Sequence, residues 1–178
     1  TDPLGWRIDQ VEVIGYQTNS GNTSTMNGIY MRIWNGDPTL PASSVIWGDL
    51  VNNRFASTAW TGNYRVTETT LAAVNRPIMS VIGNCGKILG PGTYWLEYGI
   101  TGTTASGPFS PPVTITGTAI TGANSYQRTL STNAQPARKS VASLAACSRT
   151  NARSAGPAVL ARRSASVTPC AASSRPGK

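Results

Sequence analysis

Tyr30, Arg32 and Trp34 recur at every second position of the segment Gly28 to Trp34, with Ile29, Met31 and Ile33 between them. On an extended strand this spacing puts the three apolar residues on one face and the aromatic and basic row on the other. Trp95 and Glu97 form a second row, opposed to Tyr94, Leu96, Tyr98 and Ile100 in the segment Thr93 to Thr101. Flat rings bury apolar area while an arginine or a carboxylate fixes orientation, which is how a sugar or a partner protein is held. Tyr30, Arg32, Trp34, Trp95 and Glu97 are therefore the expected ligand-binding residues. The competing reading is that they pack beneath loops or against another sheet, with Arg32 stacked on Trp34.

Catalysis has less to draw on. The chain has no His, which removes the usual general base near neutral pH, the Ser-His triads and the commonest metal ligand. Its seven acids would have to supply a pair of carboxyls facing each other across a scissile bond. Asp9 and Glu12 fall on opposite faces of a regular strand, and Asp37 and Asp49 sit beside Gly and Pro, where turn capping is the ordinary role of Asp. The oxygen set that calcium needs is not visible as a motif. No catalytic residue, metal or cofactor is expected, and the protein is read as a non-enzyme.

The elements that would position the five residues are strands. Alternating apolar positions bounded by Gly, Pro or Asn recur through the first 127 residues, and no stretch sustains helical spacing. Strands are expected at Trp6 to Thr18, Gly28 to Trp34, Val45 to Leu50 and, through the turn Val51-Asn52-Asn53, Arg54 to Val66, the last broken near Gly62. Pro77 to Ile82 reads as another, extended by Ile88 and Leu89 after Gly86. Thr93 to Thr101 follows the turn Gly90-Pro91-Gly92, and Val113 with Ile115 completes the set. About seven strands joined by turns, without alternation with helices, predict an all-β antiparallel sandwich, jelly-roll or immunoglobulin-like.

Beyond Gln127 the composition changes. Residues 128–178 contain nine Lys or Arg, no acid and no aromatic, whereas residues 1–127 hold six Lys or Arg, all seven acids and every aromatic, so the body is -1 and the tail +9. The net charge of +8 describes neither part. The Ala/Ser/Arg/Pro-rich tail is expected to be disordered or irregular, because it has too little apolar surface to offset the entropy of ordering. Its basic residues would suit nucleic acid or another polyanion. Without aromatics it lacks a stacking platform, so nucleic acid is not the partner expected. A solvated extension, or an out-of-frame translation of GC-rich coding sequence, matches the composition better.

Cys85 stands alone in the body, with Cys147 and Cys170 in the tail, so no disulfide framework holds the fold. Three incidental thiols, or a Cys147–Cys170 pair, are both open. Asn22-Thr23-Ser24 fits a glycosylation acceptor. The chain begins at Thr1 with no basic and then apolar leader, which is expected if a signal peptide has been removed or lies outside it. No apolar run reaches the roughly 18 residues of a membrane-spanning helix.

Five segments occur in a characteristic order: Ile33-Trp34-Asn35-Gly36-Asp37-Pro38, Tyr64-Arg65-Val66, Asn75-Arg76-Pro77-Ile78-Met79, Gly90-Pro91-Gly92-Thr93-Tyr94-Trp95-Leu96 and Ala105-Ser106-Gly107-Pro108-Phe109-Ser110-Pro111-Pro112. Over roughly residues 5–127 the chain resembles a β-sandwich module of secreted and cell-surface bacterial proteins, a module with no established activity. The resemblance implies secretion or surface display and carries no catalytic residues. It also exposes a departure: the apolar closing strand of the module is missing after Gln127. A non-catalytic extracellular binding or structural module is therefore expected, with a glycan or another surface protein as partner. Carbohydrate binding, and self-association through an open sheet edge into a surface assembly or fibre, are the alternatives.

Overall fold

The computed structural model describes residues 5–111 and the strand segments Gln127–Arg128, Ala142–Cys147 and Ala165–Ser166. Among the described residues of the body there are six strands: β1 (Trp6–Tyr16), β2 (Met26–Trp34), β3 (Val45–Asp49), β4 (Phe55–Tyr64), β5 (Pro77–Leu89) and β6 (Tyr94–Gly102). They pair antiparallel in two sheets, ordered β4-β5-β1 and β3-β2-β6. Among the described residues no helix is long and apolar enough to cross a membrane.

The period-2 pattern explains how the sheets meet. Val11 and Val13 of β1 and Met79 and Val81 of β5 share one buried cluster with Met26, Ile29 and Met31 of β2 and Tyr98 and Ile100 of β6. Burying a side chain the size of Ile29 or Met31 contributes roughly 1.5–3 kcal/mol, and both are wholly inaccessible. Gly83 lets the layers approach at this point. A Cβ there would lie 2.7 Å from both Ile29 Cγ2 and Met31 Cε, so a side chain at this position would overpack the cluster.

Strand existence follows the expected pattern, with differences at two glycines and one turn. β5 runs unbroken from Pro77 to Leu89, and the irregularity near Gly86 is absorbed as a register shift opposite Ile8–Gln10. β4 likewise continues past Gly62 to Tyr64. Val51-Asn52-Asn53 does not close a hairpin, because β3 and β4 belong to different sheets. The chain crosses between them at Arg54, whose N–H donates to Ile29 O at 2.8 Å while its carbonyl accepts from Asn84 N at 2.8 Å. Asn53 secures the crossing, its Oδ1 accepting from Ile29 N and Phe55 N and its Nδ2 donating to Asn27 O.

Loops at one end are tied together by Gln17, a fully buried amide. Its Nε2 donates to Thr104 O at 3.0 Å and its Oε1 accepts from Thr25 Oγ1 at 2.7 Å. Thr18 N donates to Ser106 O and Asn19 N to Asn75 O, so the segments after β1, before β5 and after β6 converge here. Burial without unmet polar atoms is what makes such an amide tolerable.

Part of the tail expected to be irregular is strand. β7 (Gln127–Arg128) pairs with β8 (Ala142–Cys147), β8 pairs antiparallel with β6 from Tyr94↔Cys147 to Tyr98↔Ser143, and β9 (Ala165–Ser166) pairs parallel with Val11–Glu12. An uncovered row of N–H and C=O groups along β6 is a template for such pairing. The strand expected at Val113 and Ile115 and the Cys147–Cys170 pairing lie outside the described residues.

The crossing turn has its own titration. Asp49 Oδ1 accepts from Val51 N at 2.8 Å and Asn52 N at 2.6 Å, and Oδ2 from Asn52 Nδ2 at 2.9 Å. The Asn52 amide, then the Asn52 and Val51 N–H groups, hold its carboxyl down at about 2 instead of 3.8. A depressed folded-state pKa gives stability that is full above 3.8 and lost as pH falls towards 2. Asp49→Asn should flatten the urea midpoint over that window relative to the parent, and an unchanged slope would remove Asp49 as its source.

Candidate functional site

Register brings the five expected residues onto one surface. β2 lies antiparallel on β6 with Arg32 opposite Glu97 and Trp34 opposite Trp95, while Tyr30 faces Gly99. Because Ile29, Met31 and Ile33 point into the interior and are buried, the alternate row faces away from the core. Cross-strand neighbours on one face stand close enough to bond side chain to side chain.

At the centre is the Glu97 carboxylate, only 1% exposed although it lies on the face away from the core. Its Oε2 accepts from Arg32 Nε at 2.6 Å and from Trp34 Nε1 at 2.9 Å. The Arg32 guanidinium also lies over the Trp34 ring, 4.8 Å from its centroid. Each contact constrains the others: the carboxylate holds the cation, the indole N–H points at the same oxygen, and the ring lies under the guanidinium. A carboxylate so buried is tolerable only with such compensation. Trp95 is buried too, at 5% exposure, whereas Tyr30, Arg32 and Trp34 are half-buried. Two of the five expected ligand-binding residues, Glu97 and Trp95, are thus closed to solvent. Arg32 stacks on Trp34, as the competing reading held, and also pairs with Glu97.

The other described carboxylates are largely engaged. Asp9 accepts from Arg7 Nε at 2.8 Å, Glu12 from Ser80 Oγ at 2.5 Å, and Asp37 from Thr39 N and Oγ1. Asp37 and Asp49 thus both cap turns. Glu68 stands exposed in the β4–β5 loop. Among the described residues no group of three or more His, Cys, Asp or Glu is placed to hold a metal ion. Cys85 is partly buried, and burial pushes its thiol pKa up, away from the reactive thiolate.

A second aromatic group was not legible in the sequence. Trp60 and Tyr64 are four residues apart, which on a regular strand would separate them by about 13 Å. Their ring centroids lie 5.4 Å apart at 54°. Gly62, at φ 83°, and a register shift between Trp60 and Tyr64 bend β4 enough to bring them together. The signal was there in the glycine between two aromatics, but it reads equally well as a strand break.

No family model, curated protein or solved structure matches the chain.

Removing the carboxylate charge tests the β2–β6 network. Glu97→Gln should cost about 3 kcal/mol, because it leaves the Arg32 cation without its anion. The double variant Arg32→Met/Glu97→Leu should recover most of that loss. Urea midpoints of the three variants decide, and an additive double variant would show that the pair is not coupled.

Proposed function

We propose that the protein is a non-catalytic binding module, secreted or displayed at a bacterial cell surface, in which the two sheets form a β-sandwich. The supporting observation is the Arg32–Trp34–Glu97 network. It fixes a cation stacked over a ring on an outward sheet face, so a ligand meets groups whose rotamer freedom is already spent. Tyr30 extends this surface along β2. A glycan or another surface protein is the partner this combination suits, the ring offering apolar area and the guanidinium orientation. The motif order shared with secreted bacterial modules supports the location.

An array of glycans probed with the full chain separates a carbohydrate from a protein partner. If the ligand is a sugar held here, the parent binds a defined subset and Trp34→Ala lowers that signal at least tenfold with the fold intact. Binding that survives Trp34→Ala would remove this surface from sugar recognition.

A second reading is self-assembly, and it has its own support. Among the described residues β4 is an edge strand of ten residues, Phe55 to Tyr64, with no charged residue and no Pro. Natural edges usually carry such residues as protection, so an edge without them can accept another strand. Light scattering over rising concentration should then show oligomers, reduced by Ala59→Lys. A strictly monomeric chain at high concentration would end this reading.

A further inference from the structure

The Trp60–Tyr64 pair belongs to neither sheet interior nor to the β2–β6 network, and its construction is that of a binding platform. Trp60 is 37% exposed on strand β4, opposite Met79 of β5. Its indole Nε1 donates to Asn63 O at 3.1 Å, and Tyr64 OH donates to Asn22 Oδ1 at 3.0 Å. These bonds occupy the polar atoms of both rings and hold them in place, and the exposed part of Trp60 is what a ligand would meet. The Asn22 bond reaches 42 positions along the chain, from the loop after β1. That loop is anchored in turn by the buried Gln17 and by Asn19 N donating to Asn75 O at 2.7 Å. The platform thus rests on three segments that are bonded to one another.

Its surroundings select the ligand. No residue from Phe55 to Tyr64 is charged, and the residues bonded to the pair, Asn63 and Asn22, are neutral hydrogen-bonding groups. Arg65, next in sequence, follows the end of the strand, and its backbone N–H donates to Arg76 O at 2.8 Å. A charged ligand would find no counter-charge in this strand. A neutral pyranose carries polarised C–H groups on one face and hydroxyls round its rim. The former suit the negative face of an aromatic ring, the latter the Asn amides. Two rings tilted at 54° suit successive sugar units turned relative to one another better than one flat ring system.

We propose that Trp60 and Tyr64, flanked by Asn22 and Asn63, form a binding site for neutral oligosaccharides. The site is independent of the β2–β6 surface, because β4 belongs to the other sheet.

Calorimetric titration of the full chain with cellohexaose, xylohexaose, mannohexaose and chitohexaose tests it. At least one should bind. Trp60→Ala should weaken that binding tenfold or more, and Tyr64→Phe, which keeps the ring but frees it from Asn22, by a few-fold. Trp34→Ala should change it less than twofold, and near-UV circular dichroism and urea midpoints check that each variant is folded. The proposal is overturned if none of the four sugars binds, or if Trp60→Ala binds within twofold of the parent. Binding lost in Trp34→Ala but kept in Trp60→Ala would overturn it as well, and would place sugar recognition on the β2–β6 surface instead.

Discussion

The register of β2 on β6 is the constraint on which the rest depends. One alignment puts Ile29 beside Ile100 and Met31 beside Tyr98 in the interior, and the same alignment puts Arg32 beside Glu97 and Trp34 beside Trp95 outside. A slip of β2 by one residue would send Arg32 into the apolar cluster, away from Glu97, and expose Ile29 and Met31. Core packing and the outer charge network therefore enforce each other, and neither could be altered in register alone. β3 and the crossing at Arg54 inherit their positions from the same pair, since both bond to β2.

The all-β class and the position of nearly every body strand could be read from alternation, because burial on one face imposes a period of two that survives any detail of packing. The same periodicity grouped Tyr30, Arg32 and Trp34 on one face and Trp95 with Glu97 on another. It could not pair the two rows, since register between strands separated by some sixty residues depends on packing that no local pattern encodes. Nor could it foretell that Glu97 would be buried on the face away from the core. The turn Val51-Asn52-Asn53 was legible as a turn, yet whether a turn closes a hairpin or changes sheets is decided by what lies beneath it. Here Ile29 O and Asn84 N lie there, one in each sheet.

Trp60 and Tyr64 show a different limit. Propensity rules treat a glycine within a strand as a weakness, and Gly62 was read as a break. In the folded chain it is a bend that keeps pairing on both sides and shortens the distance between two rings by more than half. Sequence rules identify where the backbone departs from regularity more readily than what the departure accomplishes. Gln17 belongs with it: a lone glutamine beyond a strand end carries no signal, yet it is the buried bridge between the β1–β2 loop and the segment after β6.

The two aromatic groups also differ in how freely they can diverge over generations. Trp60 holds no charged partner that its loss would strand, so a lineage can exchange it in one step and sample new surfaces while the fold persists. Arg32, Trp34 and Glu97 share a single carboxylate oxygen, and a change at Glu97 strands a cation that only a second change can relieve. Such a trio drifts as a block or stays fixed. Among descendants of this chain, the β2–β6 face should vary by paired replacements and the β4 edge one residue at a time.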